Sequence, residues 1–218
     1  MTKYKVILFD LDGTISDPKT GITKSVQYAL QKMNINELNL DKLECFIGPP
    51  LHVSFAEFYG FDEVNTQRAI DFYRERFKNK GMFENKLYSA IPLLLDCLRK
   101  QQYTLVVATS KPTVFSEQIL NYFDIDKYFD LVVGSNLDGT RSSKTEIIQY
   151  IIQKYNENSL DDFVMIGDRK HDIIGANNAG IDSIGVTYGY GSLKELNDSN
   201  PTHIVNRVDG IKDILGVL

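Results

Sequence analysis

The 218-residue chain is 43% hydrophobic and 24% charged with a net charge of −5, a balance that suits a globular protein of one large domain or a core plus a smaller module. The acidic surplus and the lack of a basic stripe argue against a nucleic-acid backbone as the main partner. Cys45 and Cys97 stand far apart without C-x-x-C or Cys/His spacing, which speaks against a disulfide framework and a zinc centre.

The first residues run straight into Val6-Ile7-Leu8-Phe9, a buried-strand pattern too short for a signal region or a membrane span, and a cytoplasmic protein is expected. That run ends in Asp10-Leu11-Asp12-Gly13-Thr14, two carboxylates one residue apart followed by a turn. After Ser16-Asp17-Pro18, apolar residues at helical spacing predict a helix over 21–33. Between 40 and 80 no convincing strand occurs; Gly48-Pro49-Pro50 breaks the chain, with a short helix predicted near 53–59 and a longer one near 69–77. Helix and strand then alternate: helix 91–100, strand 103–108, helix 114–122, strand 131–133, helix 144–155, strand 163–166, and a helix stopped at Gly180. Strand 182–186, a turn over 188–192, an edge strand at 203–205 and a helix over 211–218 complete the series. The expected fold is α/β: a doubly wound, Rossmann-like parallel-sheet core from 1–16 and 83–218, interrupted by an α-helical insertion over 17–82.

In such sheets ligands collect outside the carboxyl ends of the strands. Those ends deliver Asp10 and Asp12, then Thr109 and Ser110, then Asp168 with Asp172, and Lys144 adds a cation at a helix start. Carboxylates at an open edge suit magnesium, which takes oxygen ligands and bridges to phosphate, while a hydroxyl and a lysine neutralise phosphoryl oxygens. One aspartate can then act as a nucleophile. Lys111, also near a strand end, and the nearby Arg141 compete with Lys144 for the cationic role. The two-residue spacing of Asp10 and Asp12 is expected to turn both side chains toward one phosphate.

Asp10-Leu11-Asp12-Gly13-Thr14, Thr109-Ser110-Lys111, Lys144 and Gly167-Asp168-Arg169-Lys170-His171-Asp172 resemble, in order, the four motifs of the haloacid dehalogenase-like superfamily. The segments around 137–144 and 165–176 are similar to its phosphoglycolate phosphatase-like branch, which includes 5′-nucleotidases. The resemblance implies a Mg2+-dependent phosphatase acting through an aspartyl phosphate on a small phosphomonoester: phosphoglycolate, a nucleoside 5′-monophosphate or a sugar phosphate. Asp10 would be the nucleophile and Asp12 the general acid and then base. Mg2+ would be held by Asp10, the Asp12 carbonyl, Asp168 and Asp172. Thr109, the Ser110 backbone and Lys144 would bind the phosphoryl group. Thr145 stands where many relatives have proline, which leaves the start of that helix in question. The alternatives are a phosphomutase of the same superfamily and a receiver-like phospho-accepting module.

By the same resemblance the helical insertion is a cap domain, in which Lys24, Gly48, Pro49 and Arg74 are candidates for reading the leaving group. Each has a plainer role available, a solvated helix face for Lys24 and Arg74 and a helix corner for Gly48-Pro49. The aromatic residues Phe55, Phe58, Phe72 and Tyr73 are best explained as the insertion's own core. Gly189-Tyr190-Gly191 lacks the third glycine of a dinucleotide fingerprint. The expected partner is a small phosphorylated metabolite, with no nucleic acid and no membrane, for a monomer or homodimer.

Overall fold

The computed structural model describes residues 3–217. The chain divides into two compact units: one holds the chain up to Ser16 and from Leu87 onward, the other is Asp17–Lys86.

The first unit is built on six parallel strands, β1 (Val6–Phe9), β4 (Thr104–Pro112), β5 (Leu131–Ser135), β6 (Phe163–Gly167), β7 (Asp182–Val186) and β8 (His203–Val205), in the order β5-β4-β1-β6-β7-β8. Two short strands, β2 (Ser16–Asp17) and β3 (Lys86–Leu87), pair with each other where the chain leaves and rejoins this unit. Helices α4 (Ile91–Lys100), α5 (Thr113–Tyr122), α6 (Lys144–Lys154), α7 (Lys170–Ala179), α8 (Leu193–Asp198) and α9 (Val208–Leu215) lie between and after the strands. All four residues of β1 are buried, as a central strand covered on both faces requires. Val6 and Leu8 share one face with Val106, Ala108, Phe163 and Met165, packed against Ile147, Ile148 and Ile151 of α6 and Ala176 of α7. The chain steps outward from β1 through β4 to β5 on one side and from β6 to β8 on the other. The reversal of strand order therefore lies between β1 and β6, where doubly wound sheets place their ligands.

The predicted strands and helices of this unit are present, with particular differences. β4 continues through Ser110-Lys111-Pro112 beyond the expected end at 108, and its pairing with β5 shifts register between Ala108 and Pro112. The expected turn over 188–192 is followed by a helix that the periodicity did not show, α8, started by Ser192, whose hydroxyl accepts from the Glu195 amide at 3.0 Å. The last helix starts at Val208, earlier than expected, and stops where Gly216 takes the left-handed φ of 68°; the final predicted position, Leu218, and the first two residues lie outside the described residues.

The second unit is helical: α1 (Lys19–Lys32), α2 (Leu51–Tyr59) and α3 (Glu63–Phe77), with 3-10 turns at Leu40–Phe46 and Gly81–Phe83. Phe55 and Tyr73 are buried in it, and Phe46 meets Phe55 with ring centroids 4.9 Å apart, while Phe58 is 44% exposed. The unit runs past residue 82 because Glu84 belongs to it. Its carboxylate pairs with Arg76 at 2.8 Å and its carbonyl accepts from the Gly21 amide at 3.0 Å. No helix among the described residues is long and apolar enough to cross a membrane.

Candidate active site

Asp10 prolongs β1, its amide donating to the Ile166 carbonyl of β6 at 2.9 Å. The chain then coils tightly. The Leu11 carbonyl accepts from the Ile15 and Ser16 amides, both at 3.0 Å, and the Gly13 amide donates to the Ser16 carbonyl at 2.7 Å. Gly13 has a φ of +83°, and a Cβ on it would stand 2.2 Å from Asp168 Oδ2, so both its backbone and its place against a carboxylate require glycine.

Lys144, Asp10 and Asp172 form the charged centre. The Lys144 ammonium lies 2.9 Å from Asp10 Oδ1 and 2.7 Å from Asp172 Oδ1, and donates to the Ala108 carbonyl at 2.8 Å. Its position is fixed by the start of α6: the Ser143 hydroxyl accepts from the Glu146 amide at 3.2 Å while the Glu146 carboxylate accepts from the Ser143 amide at 3.4 Å. This capping box supplies the helix start without a proline after the lysine. Of the two competing cations, Arg141 stacks over Tyr150 at 4.7 Å and donates to the Gly134 carbonyl. Lys111 is different: its ammonium lies 2.9 Å from Asp12 Oδ2. Asp10 and Asp12 thus pair with separate lysines.

Asp168 is fully buried, receives the Tyr190 amide on Oδ2 at 2.6 Å and has the Thr14 hydroxyl 3.5 Å from Oδ1. The Tyr188 hydroxyl donates to the Thr14 carbonyl at 3.0 Å, tying the loop after β7 to the turn after β1. The Gly189-Tyr190-Gly191 segment, without a dinucleotide role, therefore serves Asp168 through a backbone N–H. Asp172 accepts from the Arg169 amide at 3.0 Å in the first turn of α7, and Glu195 of α8 receives both the Arg169 side chain and the Lys170 amide at 2.9 Å. Thr109 is buried, its hydroxyl accepting from the Lys111 amide at 3.3 Å, and the Ser110 carbonyl accepts from Ser135 at 2.9 Å. Both stand at the carboxyl end of β4 beside Asp10, as the pairing of Phe9 with Val107 dictates. Lys24 on α1, Gly48 and Pro49 before α2, and Arg74 on α3 belong to the second unit. There Lys24 lies 3.7 Å from Glu84, and Gly48 takes a φ of 105°.

One carboxylate oxygen from each of Asp10, Asp168 and Asp172 falls within a 4.8 Å cluster. Such an all-oxygen, anionic set matches a hard divalent cation; the Asp12 carboxylate, engaged by Lys111, is outside it. Burial, then repulsion from Asp172 and Asp10, pushes Asp168 well above the usual carboxylate range. Burial likewise raises Asp172 to about 6 against the pull of Lys144. The same desolvation raises Asp12, with Lys111 opposing it. Lys144 is raised despite its own burial, because Asp10 and Asp172 hold its proton.

These shifts predict a pH signature. Asp168 and Asp172 bind protons more tightly in the folded protein than in the unfolded chain, whose carboxylates titrate near 3.8. Between that value and the raised folded ones the native state carries more protons, so their contribution to stability falls as pH rises. In chelator-treated protein, Asp168→Asn is expected to melt above wild type at about pH 7, and the gap is expected to narrow as pH falls and to close toward about pH 4. Thermal unfolding followed by circular dichroism checks this; a gap independent of pH would refute it.

The model of the haloacid dehalogenase-like hydrolases matches residues 7–186, from β1 to the end of β7, and so takes in Asp10, Asp12, Lys111, Lys144, Asp168 and Asp172. The chain belongs to that family. This haloacid dehalogenase-like protein is 46% identical to a 5′-nucleotidase of Pseudomonas aeruginosa, over 98% of its own length and 96% of the relative's. It is also 32% identical to a tyrosine-protein kinase, PtkA, of Mycobacterium tuberculosis, over 98% of this chain and 73% of that one. Among solved structures, one described as a predicted phosphatase from Clostridium acetobutylicum is similar at 52% identity, with a TM-score of 0.95 and coverage of 98% and 99% of the two chains. The α/β fold with its six-stranded parallel sheet is closely similar to that solved structure.

Proposed function

We propose that this haloacid dehalogenase-like protein is a Mg2+-dependent phosphatase of a small phosphomonoester, and that a nucleoside 5′-monophosphate is the first candidate substrate. The observation that carries the chemistry is the Lys144 ammonium held between Asp10 and Asp172, at 2.9 and 2.7 Å, beside the cluster of three buried carboxylates. The likeness to a relative named 5′-nucleotidase, at 46% identity, supports the substrate class ahead of phosphoglycolate and sugar phosphates.

Asp10, at the end of the central strand, attacks phosphorus, and the bond to the leaving oxygen breaks as Asp12 gives that oxygen a proton. Burial, which raises Asp12, favours the protonated form this step needs. In the second step Asp12 takes a proton from water as the water attacks the aspartyl phosphate, which releases phosphate and restores the Asp10 carboxylate. Lys144 stabilises the negative charge that gathers on the phosphoryl oxygens and keeps Asp10 in line, and Thr109 with the Ser110 backbone completes the phosphoryl site. Asp10, Asp168 and Asp172 would hold Mg2+, which supplies further charge neutralisation when bound. The protein acts in the cytoplasm on a soluble metabolite, as a monomer or homodimer, without nucleic acid or membrane as partner.

The test is release of inorganic phosphate from nucleoside 5′-monophosphates, phosphoglycolate and sugar phosphates, with Mg2+ and with a chelator. Hydrolysis that the chelator abolishes is expected, fastest with a nucleotide. Absence of Mg2+-dependent release across the whole series would overturn the proposal.

A further inference from the structure

We infer that Lys111 is a positioning residue for Asp12: its ammonium anchors Oδ2 and so leaves Oδ1 as the oxygen that exchanges a proton with the leaving group and with water. This rests on the phosphatase chemistry proposed above, in which Asp12 moves the protons.

The pair is internal. Lys111 Nζ and Asp12 Oδ2 are 2.9 Å apart, and the two side chains are only 6% and 9% exposed. Asp12 Oδ1, by contrast, is buried and has no hydrogen-bond partner among the described residues. A buried acceptor without a donor costs free energy, so it marks a place where a donor belongs at some stage of the cycle. A protonated leaving oxygen and an attacking water both supply one. Lys144 cannot anchor Asp12 as well, since its three donors already go to Asp10, Asp172 and the Ala108 carbonyl.

The backbone explains how a lysine comes to stand there. Three residues of β4 lie between Ala108 and Pro112, whereas one lies between their partners Val133 and Ser135 on β5, so Thr109-Ser110-Lys111 forms a bulge. Bulges re-aim side chains beside active sites. This one is held on both sides: the Lys111 amide donates to the Thr109 hydroxyl at 3.3 Å, and the Gly134 amide donates to the Thr113 hydroxyl at 2.9 Å. A Cβ on Gly134 would stand 2.1 Å from the Lys111 carbonyl, so only glycine lets β5 approach this closely. A lysine meant only to balance charge could remain solvated, where the desolvation penalty of an internal pair is avoided.

Leaving-group dependence separates positioning of the acid from simple charge balance. A poor leaving oxygen needs a proton as its bond to phosphorus breaks, and a good one does not. The experiment measures kcat/KM with Mg2+ for dinitrophenyl phosphate and phenyl phosphate, in wild type, Lys111→Met and Lys111→Arg, with circular dichroism as the fold control. Lys111→Met is expected to lose about 100-fold on phenyl phosphate and less than about threefold on dinitrophenyl phosphate. Lys111→Arg, which keeps a cation in reach of Asp12, is expected to recover most of the phenyl phosphate activity. Should Lys111→Met fail to fold, Lys111→Gln, whose amide ends one bond short of the ammonium, carries the same comparison. Equal losses on both substrates, no loss on either, or weakened inhibition by inorganic phosphate in parallel with the loss would overturn the inference. Wild type inactive on both substrates would instead overturn the phosphatase reading itself, before any variant is compared.

Discussion

Asp10→Asn is expected to lower kcat by about 10⁴-fold or more while leaving the fold intact. The amide is almost the same size as the carboxylate but cannot attack phosphorus, so no covalent intermediate forms. Stability should not suffer, because the Lys144 ammonium keeps Asp172 at 2.7 Å and the Ala108 carbonyl at 2.8 Å. Removal of one charge also relieves Asp168 and Asp172, both of which Asp10 pushes upward by repulsion. Phosphate release and thermal unfolding, measured on one preparation, check both halves. A residual rate within about tenfold of wild type would show that Asp10 is not the nucleophile.

Lys144→Met is expected to fail in the opposite manner, losing stability together with activity. It leaves Asp10 and Asp172, 5% and 1% exposed in their side chains, with no cation between them. Breaking a buried pair by removing one partner costs about 3–5 kcal/mol, which for a chain of this size lowers the melting temperature by about 10 °C. Loss of the ammonium from the phosphoryl site is expected to reduce kcat by about 10²–10³-fold as well. Because the instability comes from uncompensated charge, Lys144→Met combined with Asp172→Asn should melt above Lys144→Met alone, which a double-mutant cycle in chelator measures. An unchanged melting temperature in Lys144→Met would refute the account.

How legible these groups were depends on what each owes to its own neighbourhood in the chain. Asp10 and Asp168 could be read directly, since each follows an apolar run, Val6-Ile7-Leu8-Phe9 or Phe163-Val164-Met165-Ile166, and a charge just past a buried strand stands out. Lys144 was legible only with the motif order in hand, as Lys111 near another strand end and Arg141 nearby offered the same charge. The partnership of Lys111 with Asp12 left no trace. Alternation along β4 predicts which side a residue faces only while the register holds, and the register shifts between Ala108 and Pro112. The hold on Asp168 by the Tyr190 amide was hidden for another reason: a backbone N–H is common to nearly all residues, so residue identity at 190 says nothing about it. α8 is short, and it brings Glu195 to the start of α7, a long-range contact that periodicity does not encode.

The place of β1 in the sheet also governs the order in which the protein can be made. This strand precedes both of its hydrogen-bonded neighbours in the chain, β4 at Thr104–Pro112 and β6 at Phe163–Gly167. The helical unit, Asp17–Lys86, is continuous in the chain and can fold on the ribosome as soon as it emerges. The strand that carries Asp10 must wait, one side open, until residues up to Gly167 have been added. During that interval the most apolar strand of the sheet is held on a nascent chain without its partners, and long-range pairings of this kind are the slow step in folding. Asp10 is thus translated before either strand that flanks β1 and reaches its finished environment only after both.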